Sequence, residues 1–181
     1  INFVKKDIIV FSFAVLFFII LVLFIIYKEF KWVLIPLIST IYSVLIMTGF
    51  IGLMNWEITA ISSNFVSLML ILSISMNIHI INNYRINYFN KEIHNTLKYT
   101  IVNMFWPCFY TALTTIVAFG SLMFSDIKPI IDFGKIMICS LFVIFLTSFT
   151  ILPLLIYYFP KINISQNIKF SILDQFCELS I

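Results

Sequence analysis

Ser73, Ser75, Asn77, His79, Asn82 and Asn83 crowd into one short stretch, SISMNIHIINNYR, residues 73–85, at the end of a long apolar run. Ser75, His79 and Asn83 are spaced i, i+4, i+8. Ser73 and Asn77 make a second polar track, and Asn82 lies on a track beside the first. Polar side chains inside a membrane span are costly, so they face a bundle interior or a water-filled cavity. Histidine is the side chain that changes charge near neutral pH. His79, with Ser75, Asn77 and Asn83 as partners, is therefore a candidate proton relay or polar transmembrane site. The same groups could instead hydrogen-bond neighbouring helices and simply hold them together. The residues alone leave both readings open.

A second set lies in TALTTIVAFGSL, residues 111–122, where Thr111, Thr114, Thr115 and Ala118 form a small, partly polar stripe. Ser39, Thr40, Ser43, Thr48, Gly49 and Gly52 do the same in an earlier run. Small residues let helices approach closely, and hydroxyls bridge the contact. Thr111, Thr114 and Thr115 are candidates for helix packing or for lining a path. Phosphate-loop, HExxH and Gly-x-Ser-x-Gly patterns are absent. The acids Asp7, Glu29, Glu57, Glu92, Asp126, Asp132, Asp174 and Glu178 all lie at the ends of apolar runs or between them. Cys108, Cys139 and Cys177 lack CxxC spacing and read as small apolar filler. The expectation is no enzyme, no catalytic residues, no metal and no cofactor.

The elements that carry these residues are five apolar runs, at 8–27, 33–54, 62–84, 106–124 and 133–158. Each is close to the roughly 20 residues that cross a hydrocarbon layer about 30 Å thick as a helix. Hydrophobic residues make up 62% of the 181-residue chain and charged residues 10%, against about a quarter charged in soluble domains. Only helices satisfy their own backbone in lipid without closing a barrel. The predicted fold is an all-α polytopic membrane bundle, residues 1–160, followed by a linker or interfacial helix at 161–181. A net charge of +3 is too small to argue for nucleic acid.

The runs divide the basic residues between two sides. Lys28, Lys31, Arg85, Lys91, Lys98, Lys161 and Lys169 fall on one side, and Lys5, Lys6, Lys128 and Lys135 on the other. The positive-inside rule then puts the N-terminus outside and the C-terminus in the cytoplasm. Trp32, Trp56, Trp106, Tyr157 and Tyr158 mark span edges. Pro107 suits the first turn of the fourth span, Pro129 precedes the fifth, and Pro153 kinks or ends it. Asn90 could cap an interfacial helix over 91–105, with Ile93, Leu97, Ile101 and Met104 on its apolar face. A similar short helix could start near Ser171, grouping Ile172, Leu173, Phe176 and Cys177. The chain begins with Ile1 and a short polar lead, which reads as a piece of a longer protein.

Taken in order, several segments resemble the resistance-nodulation-division superfamily. YKEFKWVLIPLI (27–38) resembles its short basic loop and proline-bearing span. NIHIINNYR (77–85) resembles a helix ending in histidine and a basic loop. TALTTIVAFGSL (111–122) is similar to its threonine-rich span, PIIDFGKI (129–136) to the start of the next, and ILPLLIYYFPK (151–161) to its Leu-Pro-Leu-Leu exit. Within that superfamily the segments look most like the MMPL-type exporters, whose core is related to sterol-sensing domains. The resemblance implies five helices of a six-helix half-transporter in a bacterial inner membrane. Its implied partners are a second half, possible oligomer mates, the bilayer, and a lipid-like or hydrophobic substrate moved by a proton gradient. Family members carry an acid in the helix corresponding to the third run. Here that position is Ser75 or Met76, and His79 is the titratable group left to substitute for it. Other readings are a sterol-sensing-like module that binds lipid and regulates without pumping, an accessory of protein translocation, and a packing scaffold from a partial gene.

The orientation is open to a direct check. Reporter tags within residues 86–105 of the full-length protein should read as cytoplasmic, and tags beside Asp126 as external. The reverse pattern would overturn the assignment.

Overall fold

The computed structural model describes residues 2–27, 29–54, 56, 64–88 and 93–158, with side chains from Ser12 onward. The Asn90 cap, the tail at 161–181 and Lys28, Lys91, Lys161 and Lys169 lie outside the described residues. Five helices form: α1 (Asn2–Tyr27), α2 (Phe30–Leu53), α3 (Phe65–Asn87), α4 (Ile93–Ser121) and α5 (Lys128–Tyr158). A 3-10 turn at Leu122–Phe124 follows α4. The shortest helix, α3, has 23 residues. That gives a length of about 34 Å, enough to cross a bilayer core. Phe13, Phe17, Leu45, Val117, Phe142 and Leu146 all turn outward, at 58–70% exposure. A water-soluble surface does not carry apolar area on that scale. The chain is an all-α bundle of an integral membrane protein.

One expected boundary is wrong. The interfacial helix at 91–105 and the span at 106–124 are not separate, because α4 runs unbroken from Ile93 to Ser121 with Pro107 inside it. Proline removes one backbone donor and so frees the carbonyl four residues before it, a loss a membrane helix can tolerate without breaking. The Thr111 hydroxyl donates to the Pro107 carbonyl at 2.8 Å, one turn on. The Thr40 hydroxyl makes the same 2.8 Å bond to Pro36 inside α2. Pro153 does not end α5, which continues to Tyr158. The fifth helix also starts earlier than the apolar run, taking Pro129 into its first turn.

Helix α3 is the hub. It touches each of the other four, while α1, α2, α5 and α4 follow one another around it, each packed on the next. Among the described residues α1 and α4 do not meet, so the ring is open between them. The buried core draws on all five helices, including Leu23, Trp32, Met47, Met69, Ile80, Ile81, Ala112, Met137 and Ile144.

Two contacts fix α5 against α4. Near one end, Gly134 lies under the last turn of α4, where an added Cβ would sit 2.9 Å from the Phe119 carbonyl oxygen and 3.3 Å from Leu122 Cβ. The Phe119 and Phe133 rings meet edge-on at 5.9 Å beside it. Towards the other end, Phe105 of α4 packs on Phe145 and Phe149 of α5, with ring centres 5.6 and 5.7 Å away. Such tilted aromatic pairs add about 0.5–1.5 kcal/mol each beyond simple burial.

The glycines can be told apart by substitution. Gly134→Ala forces backbone apart and should cost about 1–3 kcal/mol, the usual range for overpacking. Gly49→Ala and Gly52→Ala meet nothing within 4 Å and should be silent. Unfolding of the detergent-solubilised protein checks this, and equal effects at all three positions would refute the close approach.

Candidate functional site

The two polar tracks of α3 point in different directions. Ser73 and Asn77, both at 0% exposure, turn into the bundle against α2. Ser73 donates to Thr40 Oγ1 at 3.1 Å, and Asn77 Nδ2 donates to the same oxygen at 3.2 Å and to the Pro36 carbonyl at 3.4 Å. Thr40 Oγ1 thus accepts two bonds and donates one. Ser43 of α2 and Thr147 of α5 share a short buried hydroxyl–hydroxyl bond. Ser140 turns its hydroxyl back on Ile136 O at 2.8 Å. Asn77 Oδ1, Ser39 Oγ and Ser148 Oγ are buried in the same three helices without a hydrogen-bond partner. This is a hydroxyl-and-amide seam joining α2, α3 and α5.

The other face of α3 is different. Ile71, Ser75, His79, Asn82 and Ile86 are all exposed and share one side of the helix. That side looks into the opening between α4 and α1. Toward α4, Ser75 and His79 line a cavity of about 180 Å³ together with Thr111 and Thr115. Leu72, Met76, Cys108, Ala112, Leu141 and Ile144 complete its apolar wall. Toward α1, Asn82 Oδ1 accepts from the Tyr27 hydroxyl at 3.1 Å. Further along, Arg85 stacks over the rings of Tyr27 and Trp32, 5.0 and 5.3 Å from their centres. Desolvated cation–π contacts of this kind contribute about 2 kcal/mol.

The structure therefore brings together four of the residues singled out by sequence, Ser75, His79, Thr111 and Thr115. It separates the others. Asn77 belongs to the buried seam on the opposite side of α3. Asn83 is part-buried and accepts from Asn87 Nδ2 through its carbonyl, at 2.8 Å, and through its side-chain oxygen, at 3.1 Å. Thr114 is exposed outside the cavity, its hydroxyl bonded to Thr111 O at 3.0 Å. Asn82, placed by spacing on a neighbouring track, in fact shares the face of Ser75 and His79. A separation of seven residues gave the signal, being only about 20° short of two full turns, whereas eight residues overshoots by about 80°.

The chemistry available in the cavity is limited and specific. Thr111 and Thr115 use their hydroxyl hydrogens on their own helix, at Pro107 O and at Thr111 O, 2.8 and 2.7 Å away. They present lone pairs to the cavity and can accept but not donate. Ser75 and the His79 imidazole make no hydrogen bond to any described residue, so their donors and acceptors stay available. Among the described residues no carboxylate lines the space. Among the described residues no group of three His, Cys, Asp or Glu side chains gathers for a metal ion. What the arrangement can do is pass or hold a single proton on an imidazole, or hydrogen-bond a polar group that enters between α1 and α4. No family model, curated protein or solved structure matches this chain.

The buried seam makes a quantitative prediction. Interhelical hydrogen bonds in membrane proteins couple by about 0.6 kcal/mol on average and up to about 1.7 kcal/mol. A double-mutant cycle of Thr40→Val and Asn77→Leu, read by unfolding in detergent, should fall in that range. A coupling indistinguishable from zero would show that the 3.2 Å contact contributes nothing.

Proposed function

We propose that this chain is part of the membrane domain of an exporter of the resistance-nodulation-division type, MMPL-like, which moves lipid-like or hydrophobic compounds. The observation that carries this reading is the exposed Ser75–His79–Asn82 face of α3. A histidine and an asparagine directed at lipid tails would be strongly unfavourable, so the face calls for a polar neighbour. A second, similar half packed over the opening between α1 and α4 supplies one. His79 would then sit at the contact between halves, able to gain or lose a proton as the halves rock. The proposed setting is a bacterial inner membrane, with the α3–α4 end in the cytoplasm. That end carries Lys31, Arg85 and Lys98 against Glu29 among the described residues, while the other carries Lys5, Lys6, Lys128 and Lys135 against Asp7, Asp126 and Asp132, so the cytoplasmic excess is one charge.

A second reading rests on the lack of any carboxylate in α3. Without an acid to couple protons, the same fold would bind lipid and regulate a partner, as a sterol-sensing-like module does.

Reconstitution of the full-length protein distinguishes the two. A proton gradient across proteoliposomes should drive movement of a fluorescent acyl-lipid probe. His79→Ala should abolish that movement, and His79→Gln, which keeps a hydrogen-bond donor but no titratable proton, should abolish its dependence on the gradient. Full gradient-driven activity in His79→Ala would remove the relay. Probe binding without gradient-driven movement in the wild type would favour the sensor.

A further inference from the structure

A groove of about 390 Å³ runs between the first turns of α4 and the last turns of α5, away from the His79 cavity. Leu97, Ile101 and Val102 line it from α4, and Pro153 and Leu154 from α5. The remaining lining residues are His94, Lys98, Thr150 and Tyr157. Their order along the helices matters. From Val102 to His94, α4 advances about 12 Å, and from Thr150 to Tyr157, α5 advances about 10 Å. The inner end is apolar, since the Thr150 hydroxyl is taken by the Leu146 carbonyl at 2.7 Å. The outer end gathers an ammonium, an imidazole and a phenol. The ion pair between described residues is Asp132–Lys135, at the other end of the bundle, and no described carboxylate pairs with Lys98.

We infer that this groove is a binding site for one anionic phospholipid. An acyl chain lies along Ile101, Val102, Pro153 and Leu154, and the headgroup phosphate meets Lys98, with His94 and Tyr157 as further donors. The polarity gradient runs the way a lipid does, over a length that matches the inner part of one chain. Charge complementarity selects an anionic headgroup, because among the described residues the mouth carries the Lys98 cation and no acid. Basic recesses between transmembrane helices bind acidic lipid headgroups by this same combination. Tyr88 and Tyr158 lie at the same end of the bundle, which places the mouth at the headgroup level where amphipathic rings collect. The site is independent of the proposed transport activity, requiring only that the chain sits in a bilayer.

The test uses the full-length protein purified in detergent, with retained lipid counted by native mass spectrometry. Phosphatidylglycerol should be retained at one molecule per chain and phosphatidylcholine at least tenfold less. Lys98→Ala should reduce phosphatidylglycerol retention about tenfold, and Lys98→Arg should restore it. Leu154→Trp, which fills the apolar part and leaves Lys98 in place, should also abolish it. Equal retention of the two lipids would overturn the proposal. So would retention unchanged by both Lys98→Ala and Leu154→Trp, displacement of the lipid by inorganic phosphate alone, or occupation of the groove by a co-purifying polypeptide. Lys98 and Leu154 are exposed, so these substitutions leave the core intact, and an unchanged unfolding temperature confirms it.

Discussion

A polar side chain in lipid must find its partner within the protein, because no water is there to supply one. In this bundle three groups of side chains answer that constraint differently, and Ser39 and Ser148, buried without a hydrogen-bond partner, stand outside all three. Most hydroxyls turn back on their own helix, as Thr48, Thr115, Ser140 and Thr150 do. A few reach across, as Ser73 and Asn77 do to Thr40, and Ser43 to Thr147. Ser75 and His79 do neither. The first group is neutral in helix choice, since any helix can satisfy itself. The second selects which helices pair and in what register. The third is the part of the molecule whose chemistry is unfinished within the described residues, and it is there that function is proposed.

The crossing bonds also explain why α3 occupies the middle. It carries polar side chains on more than one face and bonds outward to both α1 and α2, so it gains from neighbours on several sides. Its inward face fits α2, where Pro36 and Thr40 offer a carbonyl and a saturated hydroxyl. Helix α5 closes the arrangement from the far side by two kinds of contact. Gly134 brings its backbone against the end of α4, and the phenylalanines of α4 and α5 fill the wider gap further along. Close approach at one end and bulky rings at the other set the separation of these two helices, and hence the width of the groove that ends at Lys98.

The all-α architecture and the presence of several membrane-length helices were legible because length and apolar composition leave lipid-spanning chains few alternatives. The direction of each polar track was not. On α3 both tracks are polar, so amphipathicity carries no sign, and Ser73–Asn77 could as well have faced outward. Only the partners on α2 decide it, and those lie about forty residues away in sequence. Asn83 and Asn82 were exchanged in role because an i, i+4, i+8 ladder drifts around the helix while a seven-residue step nearly does not. Pro107 misled for a different reason. In water a proline inside a polar-to-apolar transition is good evidence of a new helix start, but in a membrane helix losing one donor need not break the helix. The cavity shared by His79 with Thr111 and Thr115 was half legible. Both sets stood out by composition, but their meeting depends on α4 lying next to α3.

The division of polar groups has a mechanical consequence. A seam of buried hydrogen bonds resists sliding, because each displacement would strand several donors in a medium with nothing to receive them. Helices α2, α3 and α5 are tied in this way, and α4 is held to α5 by glycine contact and ring packing. Helix α1 is attached differently. The bonds described from it are Ser12 to Ser67, at 3.4 Å, and Tyr27 to Asn82. Any change at the His79 face therefore leaves α2, α3 and α5 together, and the adjustment falls to the rim of the opening, at α1 and at the α4 wall of the cavity. Tyr27 is the sensitive point. It bonds Asn82 on that face while its ring lies under Arg85, so one side chain links the polar face to the cation at the end of α3.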